Sequence, residues 1–271
     1  MIKVEKIPEK NRVILHIFKL KISFKDNLRY YLLSPLVQIL KLFSNIYFFV
    51  RRLTIKKNYK IISLGTYCFS RVITTSNKLK PRRCKGEKTC PFDLAFFYNL
   101  DKVATLIETK FEKFYDDLIL DNKGQWVNPE YEAVFNHEIN FTREEFISRY
   151  NCRITNLYNY IQNKMFHKIF VIASFEKIEV EQFENLKRVL SQYIPKDKFS
   201  IIYINQSNEN PNYNCENVYV INQNREKFDL INLNGGWVEE IKSRNSLEAV
   251  QIYYDLTTKM LDIIKKVMST N

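Results

Sequence analysis

The sequence predicts an α/β protein: a three-layer domain with a mostly parallel sheet over residues 58–271, preceded by a basic, apolar extension over residues 1–57. Three observations carry that expectation. Four short runs, at 59–64, 168–174, 199–205 and 217–221, are largely unbroken apolar sequence, the pattern of strands covered on both faces. Amphipathic helical patterns alternate with these runs, as strand–helix–strand units require. Charge is uneven: residues 1–57 hold 13 Lys and Arg against three acids, net +10, while the whole chain carries +12.

Each element has its own justification. Residues 59–64 (YKIISL) form the first core strand and stop at Gly65. Val103, Leu106, Ile107 and Phe111 recur at helical steps, which predicts a helix over 101–114. Thr142 followed three residues later by Glu145 is a capping box, so the next helix is expected over 142–163. KIFVIAS at 168–174 is a buried strand. Val180, Phe183, Leu186, Val189 and Leu190 mark a helix over 179–193, which Pro195 ends. FSIIYIN at 199–205 and NVYVI at 217–221 are further strands, and residues 246–269 close the chain as a helix.

Composition excludes other classes. At 45% hydrophobic and 14% aromatic residues the chain is too apolar for disorder. Five glycines and seven prolines exclude collagen-like sequence. The five cysteines, Cys68, Cys84, Cys90, Cys152 and Cys215, match no zinc spacing, although Cys84 and Cys90 flank one basic loop and could meet. No secretory signal is visible, since the start is charged and no cleavable apolar core follows. The expectation is a cytoplasmic protein with reduced thiols and no metal or cofactor.

In the extension, residues 13–23 read as a strand. Residues 30–50 are the most apolar stretch. At about 1.5 Å per residue it is long enough to span a bilayer. Yet it contains Pro35, Gln38, Lys41 and Asn45, and a central Lys alone costs roughly 2.5–3.5 kcal/mol on insertion. Leu36, Leu40, Phe43 and Tyr47 recur at helical steps, with Arg29, Arg51, Arg52, Lys56 and Lys57 flanking. That is the pattern of an interfacial helix on an anionic membrane surface. Packing on the core domain, with the cations in solvent, is the other reading. No nucleic-acid motif accompanies the charge, so no nucleic-acid partner is expected.

The segment with chemical content follows the first core strand: Ser63-Leu64-Gly65-Thr66-Tyr67-Cys68-Phe69-Ser70-Arg71. Gly65 permits a tight turn, and Cys68 falls at the start of the next helix. Helix-terminal N–H groups, here around Gly65 and Phe69, stabilise a thiolate or an oxyanion. A lone Cys after a strand is more often a small buried apolar residue. A thiolate needs a base, and His137 remains by elimination. His16 lies in the extension, and His167 precedes a strand on the opposite rim. Asp93 or Glu138 would orient the imidazole. Arg71, one turn after Cys68, would favour a thiolate if its side chain faces inward. Lys78, Lys80, Arg82, Arg83, Lys85 and Lys88 form a basic loop, with Arg82 and Arg83 as candidate anion ligands or simply solvated cations.

Three segments in this order, Ser63-Leu64-Gly65-x-x-Cys68, Pro91-Phe92-Asp93 and His137-Glu138, resemble a bacterial family of unknown function labelled papain-like cysteine peptidase. The later strand–helix–strand region and Gly236-Trp237-Val238-Glu239-Glu240-Ile241 are similar to later family elements, so the likeness covers most of 59–245. Leu94 and Ile139 depart from the Trp and Phe usual there. The resemblance implies Cys68 as nucleophile, His137 as base and Asp93 as third polar member. The HIFKLKISFKDN stretch resembles short apolar-basic elements attached to bacterial surface-polysaccharide proteins. It implies work on a glycan or glycolipid at the inner face of the cytoplasmic membrane, so that with the peptidase resemblance the expected substrate is a peptide, acyl or glycan group. Two alternatives remain: a membrane-associated glycan-modifying or glycosyl-transfer enzyme with a structural Cys68, and a non-catalytic membrane-tethered scaffold.

Overall fold

The extension opens as three antiparallel strands, β1 (Ile2–Ile7), β2 (Arg12–Ile17) and β3 (Leu20–Lys25), in that order in one sheet. The run expected as one strand over 13–23 is therefore two, with Ile17 opposite Leu20. Helix α1 (Arg29–Leu53) follows. This computed structural model describes residues 2–7, 12–17, 20–25, 29–55, 58–81, 83–209, 211, 213, 215–223, 226, 228–229, 244 and 246–270. The Gly236–Ile241 element, Lys56, Lys57 and Arg82 lie outside them.

Four strands form the expected parallel sheet: β4 (Tyr59–Ser63), β9 (His167–Ser174), β10 (Phe199–Asn205) and β11 (Val218–Asn222), in the order β11-β10-β9-β4. All eight residues of β9 and all seven of β10 are buried. That is why these runs are apolar throughout rather than alternating. Between β4 and β9 lie α2 (Phe69–Ser76), α3 (Leu100–Glu108) and α4 (Arg143–Gln162), and α5 (Val180–Leu190) links β9 to β10. Both bonds of the Thr142/Glu145 capping box form, at 3.2 and 2.8 Å.

Helix α3 stops six residues before the expected 114. Lys110 and Phe111 have φ of 53° and 62°, and successive left-handed residues end a helix. Phe111 is held there by packing on Phe92 and Phe114. Sequence periodicity also misses a second sheet: β5 (Phe96–Phe97), β6 (Ile119–Leu120), β7 (Trp126–Asn128) and β8 (Ala133–Phe135), antiparallel in the order β5-β8-β7-β6. Its strands are too short to leave a period-two signal. Phe97, Phe114, Phe135, Phe146 and Tyr150 fill the space behind it with edge-on and stacked rings.

At the amino end of the parallel sheet, His167 is buried, with Nε2 3.1 Å from Ser200 Oγ. Burial first, then Lys198 and Lys168, push its pKa down to about 4. Above pH ~6.5 both folded and unfolded chains hold it neutral. Below that, the unfolded chain takes up a proton that the folded one refuses, so stability falls between about pH 6.5 and 4, by roughly 2–3 kcal/mol in total. Urea denaturation at pH 7 and 4.5 checks this: His167→Gln should lose less stability on acidification than the wild type. Equal losses would remove the assignment.

The chain divides into two compact units: Met1–Ile55 with Asn224–Lys265, and Lys56–Gln223 with Lys266–Asn271. This differs from the expected division at 57/58, because the closing helix α6 (Leu247–Thr270) mostly joins the extension. The reason is packing. Val37, Leu40, Ser44 and Phe48 line the buried face of α1. Phe48 meets Tyr253 and Tyr254, Tyr47 stacks on Tyr254 at 5.8 Å, and Arg51 pairs with Asp262. No helix is long and apolar enough to cross a membrane among the described residues.

Candidate functional site

In an open parallel sheet, sites form at the carboxyl ends of the strands, and here that rim is polar. Thr66, Ser174, Asn205, Gln206 and Gln223 are buried at the ends of β4, β9, β10 and β11. They are tied together: Thr66 Oγ1 donates to the Ala173 carbonyl at 2.7 Å, Tyr67 Oη to Gln206 Oε1, and Gln206 Nε2 to Gln223 Oε1 at 2.9 Å. A single polar residue after each strand was too slight a pattern to single out this network beforehand. Beside it a cavity of about 310 Å³ is lined by Thr66, Tyr98, Asn99, Ser174, Glu176 and Gln182.

Cys68 lies in the turn that leaves this rim. Leu64 N–H still bonds the Val171 carbonyl at 3.0 Å, extending the sheet by one residue. A Cβ on Gly65 would lie 2.2 Å from Ser70 Oγ and 2.7 Å from the Tyr67 carbonyl oxygen. Gly65 is thus required by the close approach of α2. Cys68 is the N-cap of α2, 6% exposed, with its carbonyl accepting from Val72 N–H at 3.0 Å. Phe69 is the first residue of the helix, buried, with its ring stacked on Tyr67.

Arg71, one turn on, brings Asp93 into the neighbourhood, at 3.7 Å from Arg71 Nη1. Asp93 ends the 3-10 turn Pro91–Asp93 and is fully buried. Its Oδ2 accepts from Cys90 N–H at 2.8 Å, and its Oδ1 takes Lys80 Nζ at 2.9 Å. Burial alone would raise its pKa, but Lys80, Arg71 and the Cys90 N–H together outweigh it and hold the carboxyl below the usual range.

The expected orienting bond from Asp93 to His137 is not formed. His137 lies two residues past β8 with its side chain exposed, while Asp93 is enclosed by its cations. Among the described residues, no hydrogen bond or ion pair joins His137 to Cys68 or Asp93. The pairing of Phe96 with Val134 and Phe97 with Ala133 does run the Asp93 and His137 segments toward the same end of the small sheet. Glu138 turns the other way and is buried, taking Arg153 Nη2 at 2.6 Å and Arg149 Nε at 3.4 Å.

Of the basic loop, Lys80 is 1% exposed and committed to Asp93, while Lys78, Lys85 and Lys88 are exposed. Arg83 lies in the short turn Arg83–Lys85. None of the five cysteines is in a disulfide, so Cys84 and Cys90 do not pair. Two are poor nucleophiles. Burial, with the Asp93 carboxylate beside it, pushes the Cys90 thiol up to about 12. Burial and a hydrogen bond to Glu184 Oε1 (3.0 Å) push Cys215 up to about 11. Cys84 and Cys152 are exposed. Cys152 lines a cleft of about 930 Å³ with Glu87, Phe141, Ser148, Arg149 and Arg153, which no motif in the sequence marks. Among the described residues no cluster of three or more His, Cys, Asp or Glu side chains could hold a metal ion. Comparison with protein-family models, curated proteins and solved structures finds no match to this chain.

Proposed function

We propose that the α/β unit is a thiol-dependent hydrolase or acyl transferase with Cys68 as nucleophile. The observation that supports it most is the place of Cys68: at the amino end of α2, on the polar carboxyl rim of β4, one turn from Arg71. Helix-terminal N–H groups favour a thiolate there and a developing oxyanion beside it. In this reading His137 takes the thiol proton as Sγ attacks an acyl carbon and returns it to the leaving group; water or a second acceptor then gives its proton to His137 and cleaves the thioester, and that proton restores the thiol. His137 joins the thiol when substrate is bound, as catalytic contacts that are loose in a free enzyme tighten. Asp93 acts on Arg71 as a positioning residue. The enzyme works on a peptide, acyl or glycan substrate as a peripheral protein at the inner face of the cytoplasmic membrane.

Iodoacetamide labelling mapped residue by residue against pH tests the thiol. Cys68 should alkylate with a midpoint well below the free-thiol value of about 8.5. Cys84 and Cys152 serve as exposed controls, and Cys68→Ala should remove the fast phase. Labelling of Cys68 only on unfolding would sink the reading. That outcome favours a second one, a membrane-tethered scaffold in which Cys68 is a small buried residue. The burial of Cys68 and the exposure of His137 are the observations on its side.

A further inference from the structure

Helix α1 is apolar on two opposite faces, and only one of them is packed. Ile39, Leu42, Phe43, Ile46, Phe49, Val50 and Leu53 are each half or more exposed, from 50% at Ile39 to 61% at Leu53. At ~100° per residue these seven fall within a sector of roughly 120°, directly opposite Val37, Leu40, Ser44 and Phe48. Between Ile39 and Leu53 every residue in that sector is apolar. The stripe runs about 21 Å along the helix at ~1.5 Å per residue. Lys41, Arg51 and Arg52 lie outside the sector. The sequence stripe of Leu40, Phe43 and Tyr47 mixed the two faces: Leu40 is buried, Tyr47 stacks on Tyr254, and Phe43 points to solvent.

We infer that this outward stripe is the surface by which the chain docks on an anionic lipid bilayer, with α1 lying in the interface plane. The inference rests on the peripheral reading above and names the face and the lipid chemistry. Charge decides the occupant. The unit that carries α1 holds 17 Lys and Arg against 10 Asp and Glu, net +7. A second copy pressed stripe to stripe would set +7 against +7, whereas anionic headgroups neutralise it. Seven aliphatic and aromatic side chains without a cation among them suit the acyl boundary, and the net positive charge of the unit suits anionic headgroups. The helix is not apolar enough to cross, so it lies on the membrane rather than through it.

The test uses the full chain with vesicles of phosphatidylcholine alone and with about 30 mol% phosphatidylglycerol. Flotation should recover the wild type with the anionic vesicles, and binding should weaken in high salt. The triple variant Leu42→Ser, Ile46→Ser, Phe49→Ser should lower partitioning by at least about tenfold, with its circular dichroism unchanged because all three side chains face solvent. Should the triple variant unfold, Phe49→Trp reports instead: the emission of the new indole should shift to the blue on anionic vesicles. Wild type that binds neither vesicle overturns the peripheral reading together with this inference. Wild type that binds while the folded triple variant binds equally, or an indole emission in Phe49→Trp that does not move, overturns the inference alone. Equal binding to neutral vesicles overturns the anionic part. A dimer that the triple variant loses, without vesicle binding, assigns the stripe to self-association and overturns the proposal.

Discussion

Lys80→Met and Asp93→Asn should each lower stability by about 3–5 kcal/mol, because each leaves a buried charge without its closest partner. Lys80 Nζ and Asp93 Oδ1 are 2.9 Å apart, with side-chain exposures of 1% and 0%. Arg71 at 3.7 Å is too distant to replace the lost hydrogen bond. The double variant should be markedly more stable than the sum of the two losses predicts, since removing both charges removes the penalty of either alone. Urea denaturation of the four proteins closes the cycle. Single losses under about 1 kcal/mol would show that water reaches the pair and that the enclosure is wrong. The pH dependence has a definite sign. Asp93 titrates lower in the folded chain than in the unfolded one, so its contribution is complete above the unfolded carboxyl value, about 3.9, and is lost as pH falls through the depressed folded value. Asp93→Asn should lack that acid loss.

The same pair shows where the sequence was readable. The sheet strands announced themselves because a strand covered on both faces must be apolar at every position, and β9 and β10 are. The start of α4 was equally plain, since Thr142 and Glu145 satisfy each other locally. The end of α3 was hidden, because Lys110 and Phe111 adopt positive φ for the sake of contacts with Phe92 and Phe114 that no local pattern encodes. Cys68 was findable as the residue where a strand, a glycine and a helix meet. The partner of Asp93 was not: Lys80 sits in a run of cations that reads as a solvated loop, and nothing in that run marks the one that turns inward. Asp93 and Glu138 stood level as partners of His137, although adjacent side chains such as those of His137 and Glu138 usually point apart. Glu138 is buried against Arg153 while His137 is exposed.

Gly65→Ala should cost about 3 kcal/mol, near the upper end for an inserted methyl in a packed site, although the residue's φ is not in the left-handed region that ordinarily selects glycine. The added methyl would sit 2.2 Å from Ser70 Oγ, 3.1 Å from Ser70 Cβ and 2.7 Å from the Tyr67 carbonyl oxygen. The first two contacts belong to a side chain and the third to backbone, which predicts how the damage divides. Ser70→Gly added to Gly65→Ala removes the side-chain clash and should restore part of the loss. The backbone clash persists, and it acts on the turn that carries Cys68. The double variant should therefore regain stability without regaining the fast, low-pH alkylation of Cys68. Thermal denaturation and mapped labelling on the same samples separate the two effects. If Gly65→Ala is neutral in stability, the turn is not packed as tightly as its geometry states. If the double variant labels like the wild type, the position of Cys68 does not depend on the close approach of α2 to the end of β4, and the support that approach lends to a thiolate at this rim falls with it.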